Sequence, residues 1–380
     1  MGDLRGRRRS DIEKIPPGED AQIDSTARLT VQQLERRYGS APRFLRGVHP
    51  KDHGCVVGTF EVSPNLPPQV RVGLFKDGRQ YRCAIRFSNA SPLVTPDSLG
   101  LGPDGKPVVA HGSRGMAIKV YDVQGERLAG DDGERTQDFL MINQPVFAFA
   151  NVEDYEALSR IILEDKENPT RWFQRLGSPD AAVKARAGRT MQIVQQVKAL
   201  TAPPSFQAPP LSPLDNRYFS AAPFLLGDRF VMKFAATPVN PKTGEIGESV
   251  KDPDYLRKAL RARFAAADGK DICFDFQVQS RRIDDFSGKV ETEIEDVCTE
   301  WPESQYPFTT VARITIPQQD VSTEERQEYC ETLFYTPWHG LADHRPLGGI
   351  NRLRRKVYDE SAKRRGCPVS PPAPGGKARA

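Results

Sequence analysis

The feature that most constrains this chain is a series of short β-branched and aromatic runs bounded by Gly, Pro, Asn or Asp. The first are CVVGTFEV (55–62), QVRVGLF (69–75), YRCAIRFSN (81–89) and GMAIKVYDV (115–123). DFLMINQPVFAFA (138–150) begins as a strand and bends at Pro145, and strands return at 229–238, 272–280 and 308–316. Runs of this length and composition predict strands, and their even spacing predicts a meandering antiparallel sheet or a barrel. Helices are expected around them at 29–39, from Asn151 onward, at 179–200, at 252–267 behind Asp252, after the Ser322–Glu325 capping box, and at 351–366. The Pro-rich stretch 201–216 reads as a connector. Residues 1–28 read as a flexible arm, 29–350 as one α+β domain, and 367–380 as a disordered tail.

Composition excludes several classes. With 380 residues and 38% hydrophobic content, the chain can bury one large core or two ordinary ones. The 54 basic and 50 acidic residues nearly cancel, so nucleic acid is not an expected partner. The basic runs at 5–9 and 352–365 read as a solvated tail and a solvated helix face. The six cysteines form no CxxC pair, which argues against a zinc site and a disulfide framework. No run approaches the roughly 18 apolar residues of a membrane span, and the N-terminus lacks the apolar stretch of a signal peptide. A reduced, cytoplasmic protein is the expectation, with homo-oligomerisation left open.

The histidines are His49, His53, His111, His339 and His344, none between 112 and 338. In RFLRGVHPKDHGC (43–55), Arg46 precedes His49 by three residues, just before a strand. That fits a general base beside an anion clamp, or equally a polar surface turn. In RFSNA (86–90), period two puts Arg86 and Ser88 on one face, which would suit an anionic ligand inside a barrel. GxxxxGK[ST], HExxH and GxSxG are all absent, which removes the common P-loop and hydrolase readings. LFYTPWHGLADHRPLGG (333–349) is dense in ligand-type side chains, with packing under the last helix as the plain alternative.

Several of these segments, in collinear order, resemble the haem catalase family. RGVHPKDHGCVVGTFEV is similar to the R-x-x-H segment before a G-x-F-E-V strand, and RFSNA to R-F-S-T. SRGMAIKVYDVQG is similar to R-G-F-A-x-K-F-Y, and INQPVFAF to N-N-T-P-x-F-F. EWPESQYP resembles W-P-x3-Y-P, and DHRPLGG resembles H-R-L-G. The resemblance spans roughly residues 43–349. It implies an antiparallel eight-stranded β-barrel with surrounding helices and a buried haem b. It implies that His49 shuttles the peroxide proton, Ser88 orients it and Asn143 assists the peroxide oxygen. Val48 and Tyr155 match positions on the haem faces, and Arg46, Arg86 and Arg345 match the propionate arginines.

The chain departs from the pattern at three places. The turn after His49 is one residue longer than in catalases and contains His53, a second candidate for the distal role. The family's distal asparagine falls on Ile142, with Asn143 one residue late. Catalases read R-x-F-S-Y-x5-H-R-L-G, the tyrosine binding iron as phenolate. Counting back from His344 places Trp338 at the ligand position, and Tyr335 has Glu331 rather than arginine four residues before it. The iron ligand is therefore expected at Tyr335, with His339 or no ligand as the alternatives. The function implied is a haem-dependent peroxidase, catalase-like or hydroperoxide-rearranging enzyme acting on hydrogen peroxide or an organic hydroperoxide. The alternative is a haem-free barrel that binds a lipid or apolar small molecule.

Overall fold

The structure is a computed structural model that describes residues 12–97, 99–101, 107–109, 112–128, 135–199, 212–242, 252–266, 269–286 and 293–367. Eight strands close into an antiparallel barrel: β1 (Asp52–Val62), β2 (Gln80–Asn89), β3 (Arg114–Val120), β4 (Gln137–Ile142), β5 (Tyr218–Phe219), β6 (Phe230–Pro238), β7 (Ile272–Arg282) and β8 (Phe308–Ile316). They pair in the cyclic order β1-β2-β3-β4-β5-β6-β7-β8, and β8 pairs back to β1. Closure leaves the ring without an unpaired edge. A short strand, Phe224–Leu226, hangs on the outside of β6.

Period-two alternation sorts the side chains. Cys83, Ile85 and Phe87 of β2 face the barrel interior with Met116 and Ile118 of β3 and Phe139 of β4. The interior is solid. Phe60, Phe75, Phe139, Phe234 and Phe276 form a web of ring contacts with centroids 4.6–6.5 Å apart. Arg86 and Ser88 therefore point out of the barrel, not into it as the sequence suggested.

Six described α-helices cover the outside. They are α1 (Glu19–Tyr38), α2 (Val152–Glu164), α3 (Ala181–Ala199), α4 (Tyr255–Ala265), α5 (Glu324–Thr332) and α6 (Gly349–Arg364). Ile23 and Ala27 of α1, Val152 of α2, and Ile350, Leu353 and Val357 of α6 make one apolar cluster. Asn151 caps α2 as its sequence predicts, its side chain accepting from Asp154 N.

Three local expectations need correction. The first helix starts ten residues before 29, at Glu19, after Gly18 turns the chain with φ 81° and Glu19 and Asp20 fill the first turn. Residues 19–28 thus belong to the folded body. Residues 69–75 are no strand but a loop ending in a 3-10 turn, Gly73–Phe75. There Gly73 has φ 56°, and a Cβ on it would lie 2.5 Å from His344 Nε2. Thr323, not Ser322, caps α5, accepting from Arg326 N. The arm 1–11, His111, the connector residues 201–211 and the tail 368–380 lie outside the described residues.

Candidate functional site

The pocket lies between the outer wall of β2-β3-β4 and helix α6, closed at one side by Phe334 and Tyr335. Its cavity has a volume of about 70 Å³ and opens to solvent. Register builds its barrel wall. Arg86 pairs with Ala117 and Ala117 with Leu140; Ser88 pairs with Gly115 and Gly115 with Ile142. Directly paired residues share a face, so these two rows form the surface of the pocket.

His49 sits in the loop before β1 with φ 57°, its backbone N–H donating to Ser91 O at 2.9 Å. Its Nδ1 is 3.0 Å from Ser88 Oγ. Gly115 makes this contact possible, because a Cβ there would lie 2.5 Å from His49 Nδ1 and 2.8 Å from Ser88 Oγ. Val48 lines the pocket beside them. His53, the other histidine of this loop, is turned away. Its Nε2 is 3.1 Å from Asn89 Oδ1, and burial, then Arg114 and Lys51, hold it well below the usual imidazole range.

At one end of the pocket three guanidinium groups gather around Glu331. Arg46 NH1 pairs with Glu331 Oε2 at 2.8 Å and Arg86 NH2 approaches Oε1 at 3.7 Å. Arg365 donates to the Glu331 carbonyl at 2.9 Å. Burial opposes the charge of Glu331, yet Arg46 and Arg86 outweigh it and hold the carboxyl below its ordinary value. Burial, then Arg46, pull Arg365 below the usual arginine range. Arg86 Nε and NH2 and Arg365 Nε are buried without a hydrogen-bond partner. Buried donors of this kind call for an anion beyond Glu331.

Helix α6 supplies the opposite wall. Arg354, Tyr358, Ser361 and Arg365 fall on one helical face by their spacing and all line the pocket. Asn351 positions Arg354, accepting from its NH1 at 3.1 Å. Ser361 Oγ accepts from Gly47 N at 3.1 Å and ties α6 to the loop that carries His49. Sequence reasoning missed this face, reading the basic helix as solvated. The missed signal is Arg354-x3-Tyr358-x6-Arg365, the interval from arginine to tyrosine to arginine in the catalase proximal pattern.

The structure brings together His49, Ser88, Val48, Arg46, Arg86 and Tyr335 around this pocket. It does not bring Arg345, which lines a separate surface groove with Trp338 and Arg355, because the DHRPLGG segment runs behind α6. Within that segment His344 plugs the barrel mouth, Nε2 accepting from Leu74 N at 3.0 Å, with its pKa lowered to about 4 by burial. Asn143 does not face the pocket either. Its Oδ1 accepts from Arg114 N at 2.8 Å and its Nδ2 donates to Gly112 O at 3.1 Å, while Ile142 takes the place in the wall. Tyr155 stands behind α6 in the helical cluster, its phenol raised to about 12 by burial, then Tyr358, with Arg354 opposing. His339 is committed elsewhere. Its Nδ1 lies 3.1 Å from Asp138 Oδ2, and Asp138 also takes the fully buried Lys119 ammonium at 2.8 Å.

Tyr335 borders the pocket within an apolar cluster of Cys55, Tyr121, Cys330 and Leu333. Its hydroxyl is buried without a partner, and burial raises its pKa well above the ordinary phenol value, helped by Cys55 and Tyr121. The described residues contain no group of three or more His, Cys, Asp or Glu able to hold a bare metal ion, and no described helix is long and apolar enough to cross a membrane.

No described sequence family matches the chain, and no curated protein sequence does. Solved structures do. A fungal catalase superposes with TM-score 0.62 at 17% identity, over 88% of this chain and 61% of its own. A bacterial catalase gives 0.62 at 15% identity, over 89% and 60%. Catalase A from Saccharomyces cerevisiae gives 0.60 at 16% identity, over 87% and 63%. The chain thus spans about three fifths of the length of these catalases. At such identity the likeness is one of architecture, and on it this eight-stranded barrel with its helices has the catalase fold.

Proposed function

We propose that the protein is a haem-dependent enzyme acting on hydrogen peroxide or an organic hydroperoxide. One observation carries the reading: Arg46, Arg86 and Arg365 gather at one end of the pocket around Glu331, and Arg86 and Arg365 keep buried N–H donors there without a partner. Such an end accepts two further carboxylates, and a porphyrin with its pair of propionates is a flat apolar body that brings both. Val48, Ala117, Leu140 and Ile142 give the barrel wall of the pocket an apolar face. Arg46, Arg86 and Arg365 would hold the propionates; Arg345, in its separate groove, has no part in this reading.

Tyr358, in preference to Tyr335, would hold the iron. Both border the pocket, and Tyr358 follows Arg354 by one turn on the same face of α6. Tyr335 has thiols and phenols for neighbours instead, which oppose ionisation. Bound haem supplies the iron whose electrons reduce the O–O bond. The chain's own part is the proton. Ser88 fixes the His49 ring through Nδ1, and Nε2 would take a proton from one peroxide oxygen and return it to the other, which would leave as water or alcohol. Ile142 stands in the wall at this place, and the Asn143 amide is bound to backbone.

The test is an absorption spectrum after expression with ample haem. A Soret band that Tyr358→Phe abolishes or shifts and Tyr335→Phe leaves in place supports the assignment. The reverse pattern overturns the ligand, and a colourless protein overturns the function. In the loaded protein, His49→Gln should lower hydroperoxide turnover by about 10²–10⁴-fold.

A further inference from the structure

The barrel wall under His49 is polar on one side of the ring and hydrocarbon on the other. The imidazole lies over Gly115, where a Cβ would meet its Nδ1 at 2.5 Å and its Cε1 at 2.6 Å. Ser88 and Ile142 are the partners of Gly115 on the two neighbouring strands, so both belong to the row beneath the ring. Ser88 holds the Nδ1 edge at 3.0 Å. Ile142, on the other side, brings no polar side-chain atom. Val48 precedes His49 in its loop, and Ala117 and Leu140 extend the same apolar wall. These four apolar side chains are half-buried, so hydrocarbon surface remains for a ligand to cover.

No amide among the described residues reaches this wall. Both ends of the Asn143 amide are spent on backbone, Oδ1 accepting from Arg114 N at 2.8 Å and Nδ2 donating to Gly112 O at 3.1 Å. The other hydrogen-bonding side chains of the lining belong to α6, to the arginine end or to Tyr335. The two classes of peroxide differ in what they ask of such a wall. Hydrogen peroxide carries a hydroxyl at each end and gives up hydrogen bonds to water at both. One imidazole replaces them at one end, and a hydroxyl left unpaired against Ile142 and Val48 disfavours binding. An organic hydroperoxide has one hydroxyl end for His49, and its hydrocarbon end gains from contact with the same two side chains.

Resting on the haem reading above, we infer that the substrate is an organic hydroperoxide and that Ile142 sets the preference for it over hydrogen peroxide. His49 handles the proton for either peroxide; Ile142 touches only the part of the substrate that does not react. Hydrocarbon contacts in an apolar site discriminate by about 10–200-fold, and the preference should fall within that range.

The test uses the full chain loaded with haem b, with the Soret band read first. The second-order rate constants for cumene hydroperoxide and hydrogen peroxide are then measured from the change in that band. Wild type should favour cumene hydroperoxide by about 10-fold or more, and Ile142→Asn should lower the ratio by about 10-fold or more. Ile142→Val keeps the wall apolar and should keep the preference. If Ile142→Asn does not take up haem, Ile142→Thr replaces it, since it differs from Ile142→Val by one hydroxyl at the same shape; its ratio should be the lower of the two. A reading free of turnover comes from 2-phenylpropan-2-ol, the alcohol formed from cumene hydroperoxide. Its titration into the loaded protein, followed calorimetrically, should saturate in wild type and weaken by about 10-fold in the polar variant. A wild type that favours hydrogen peroxide, a ratio that the polar variant leaves unmoved, or equal alcohol binding in both overturns the inference and leaves the haem reading standing. A chain without a Soret band overturns both.

Discussion

Gly115→Ala tests whether the His49–Ser88 pair was built at the expense of a side chain on β3. The added Cβ would sit 2.5 Å from His49 Nδ1, 2.6 Å from Cε1 and 2.8 Å from Ser88 Oγ, where ordinary contacts between heavy atoms are about 3.5–4.0 Å. The imidazole must retreat by about 1 Å to relieve this. It cannot do so by moving the chain, because the His49 N–H is bonded to Ser91 O and the residue already occupies φ 57°. Rotation of the ring lengthens the 3.0 Å contact with Ser88 past the hydrogen-bond limit. Overpacking costs about 1–3 kcal/mol. The lost hydrogen bond adds about 0.5–1.5 kcal/mol, which leaves a domain of ordinary stability folded. A misplacement of about 1 Å in a proton-transferring group lowers turnover by about 10²-fold. Urea denaturation should show a lower midpoint with unchanged slope, the Soret band should persist, and hydroperoxide turnover should fall by that factor. Gly188→Ala is the control. Nothing lies within 4 Å of its Cβ and its helix welcomes alanine, so stability should rise by about 0.4–1 kcal/mol with turnover unchanged. Wild-type turnover in Gly115→Ala would refute the account of the pair.

Two further outcomes follow from the buried charges around the pocket. Glu331→Gln leaves Arg46 and Arg86 without their carboxylate, and at neutral pH the haem-free protein should lose about 3–5 kcal/mol in chemical denaturation. Because Arg46 and Arg86 hold this carboxyl below its usual value, its contribution is present above the unfolded carboxyl pKa of about 4.3 and is lost as pH falls through the folded value. The gap between wild type and variant should therefore close in acid; a gap that stays constant to low pH would count against the cluster. Asp138→Ala strands the fully buried Lys119 and frees His339, and a loss of about 3–5 kcal/mol is expected, read as a lower thermal midpoint. A midpoint equal to that of wild type would show that Lys119 finds water or another partner.

The barrel was legible in the sequence wherever a strand is long enough to display its period. The runs within β1, β2, β6, β7 and β8 declare themselves by β-branched and aromatic content between breakers. β5 does not, since two residues, Tyr218 and Phe219, show no period and follow a Pro-rich stretch. Residues 69–75 carry the composition of a strand, yet Gly73 at φ 56° turns them into the plug over His344. The His49 side of the pocket was readable because its parts lie in a local motif and on one face of one strand. The helix side was obscured by DHRPLGG, whose histidine serves the barrel mouth and whose arginine serves an outer groove. The informative spacing lies twenty residues further on, in a helix so basic that composition alone assigns it to solvent.

That basic helix poses a physical problem whose solution explains why the pocket is formed before anything enters it. Arg354 and Arg365 face Arg46 and Arg86 across the pocket, and their mutual repulsion would push α6 off the barrel. Acids gathered at the other end of α6 hold it down. Gly348 N donates to Glu13 at 2.9 Å and Gly349 N to Glu295 at 2.8 Å, so two carboxylates sit at the positive end of the helix dipole. Arg352, on the face turned from the pocket, binds Glu13 and Glu19 at 2.6 Å and Glu295 at 2.7 Å. Those contacts also explain why the chain before residue 29 is a helix and not a loose arm, because Glu13 and Glu19 come from it. An anchor at the first turn of α6 leaves its later turns, with Tyr358 and Arg365, at a fixed distance from His49. Loss of Arg352 should therefore be felt at the pocket as well as in stability, although Arg352 does not line it.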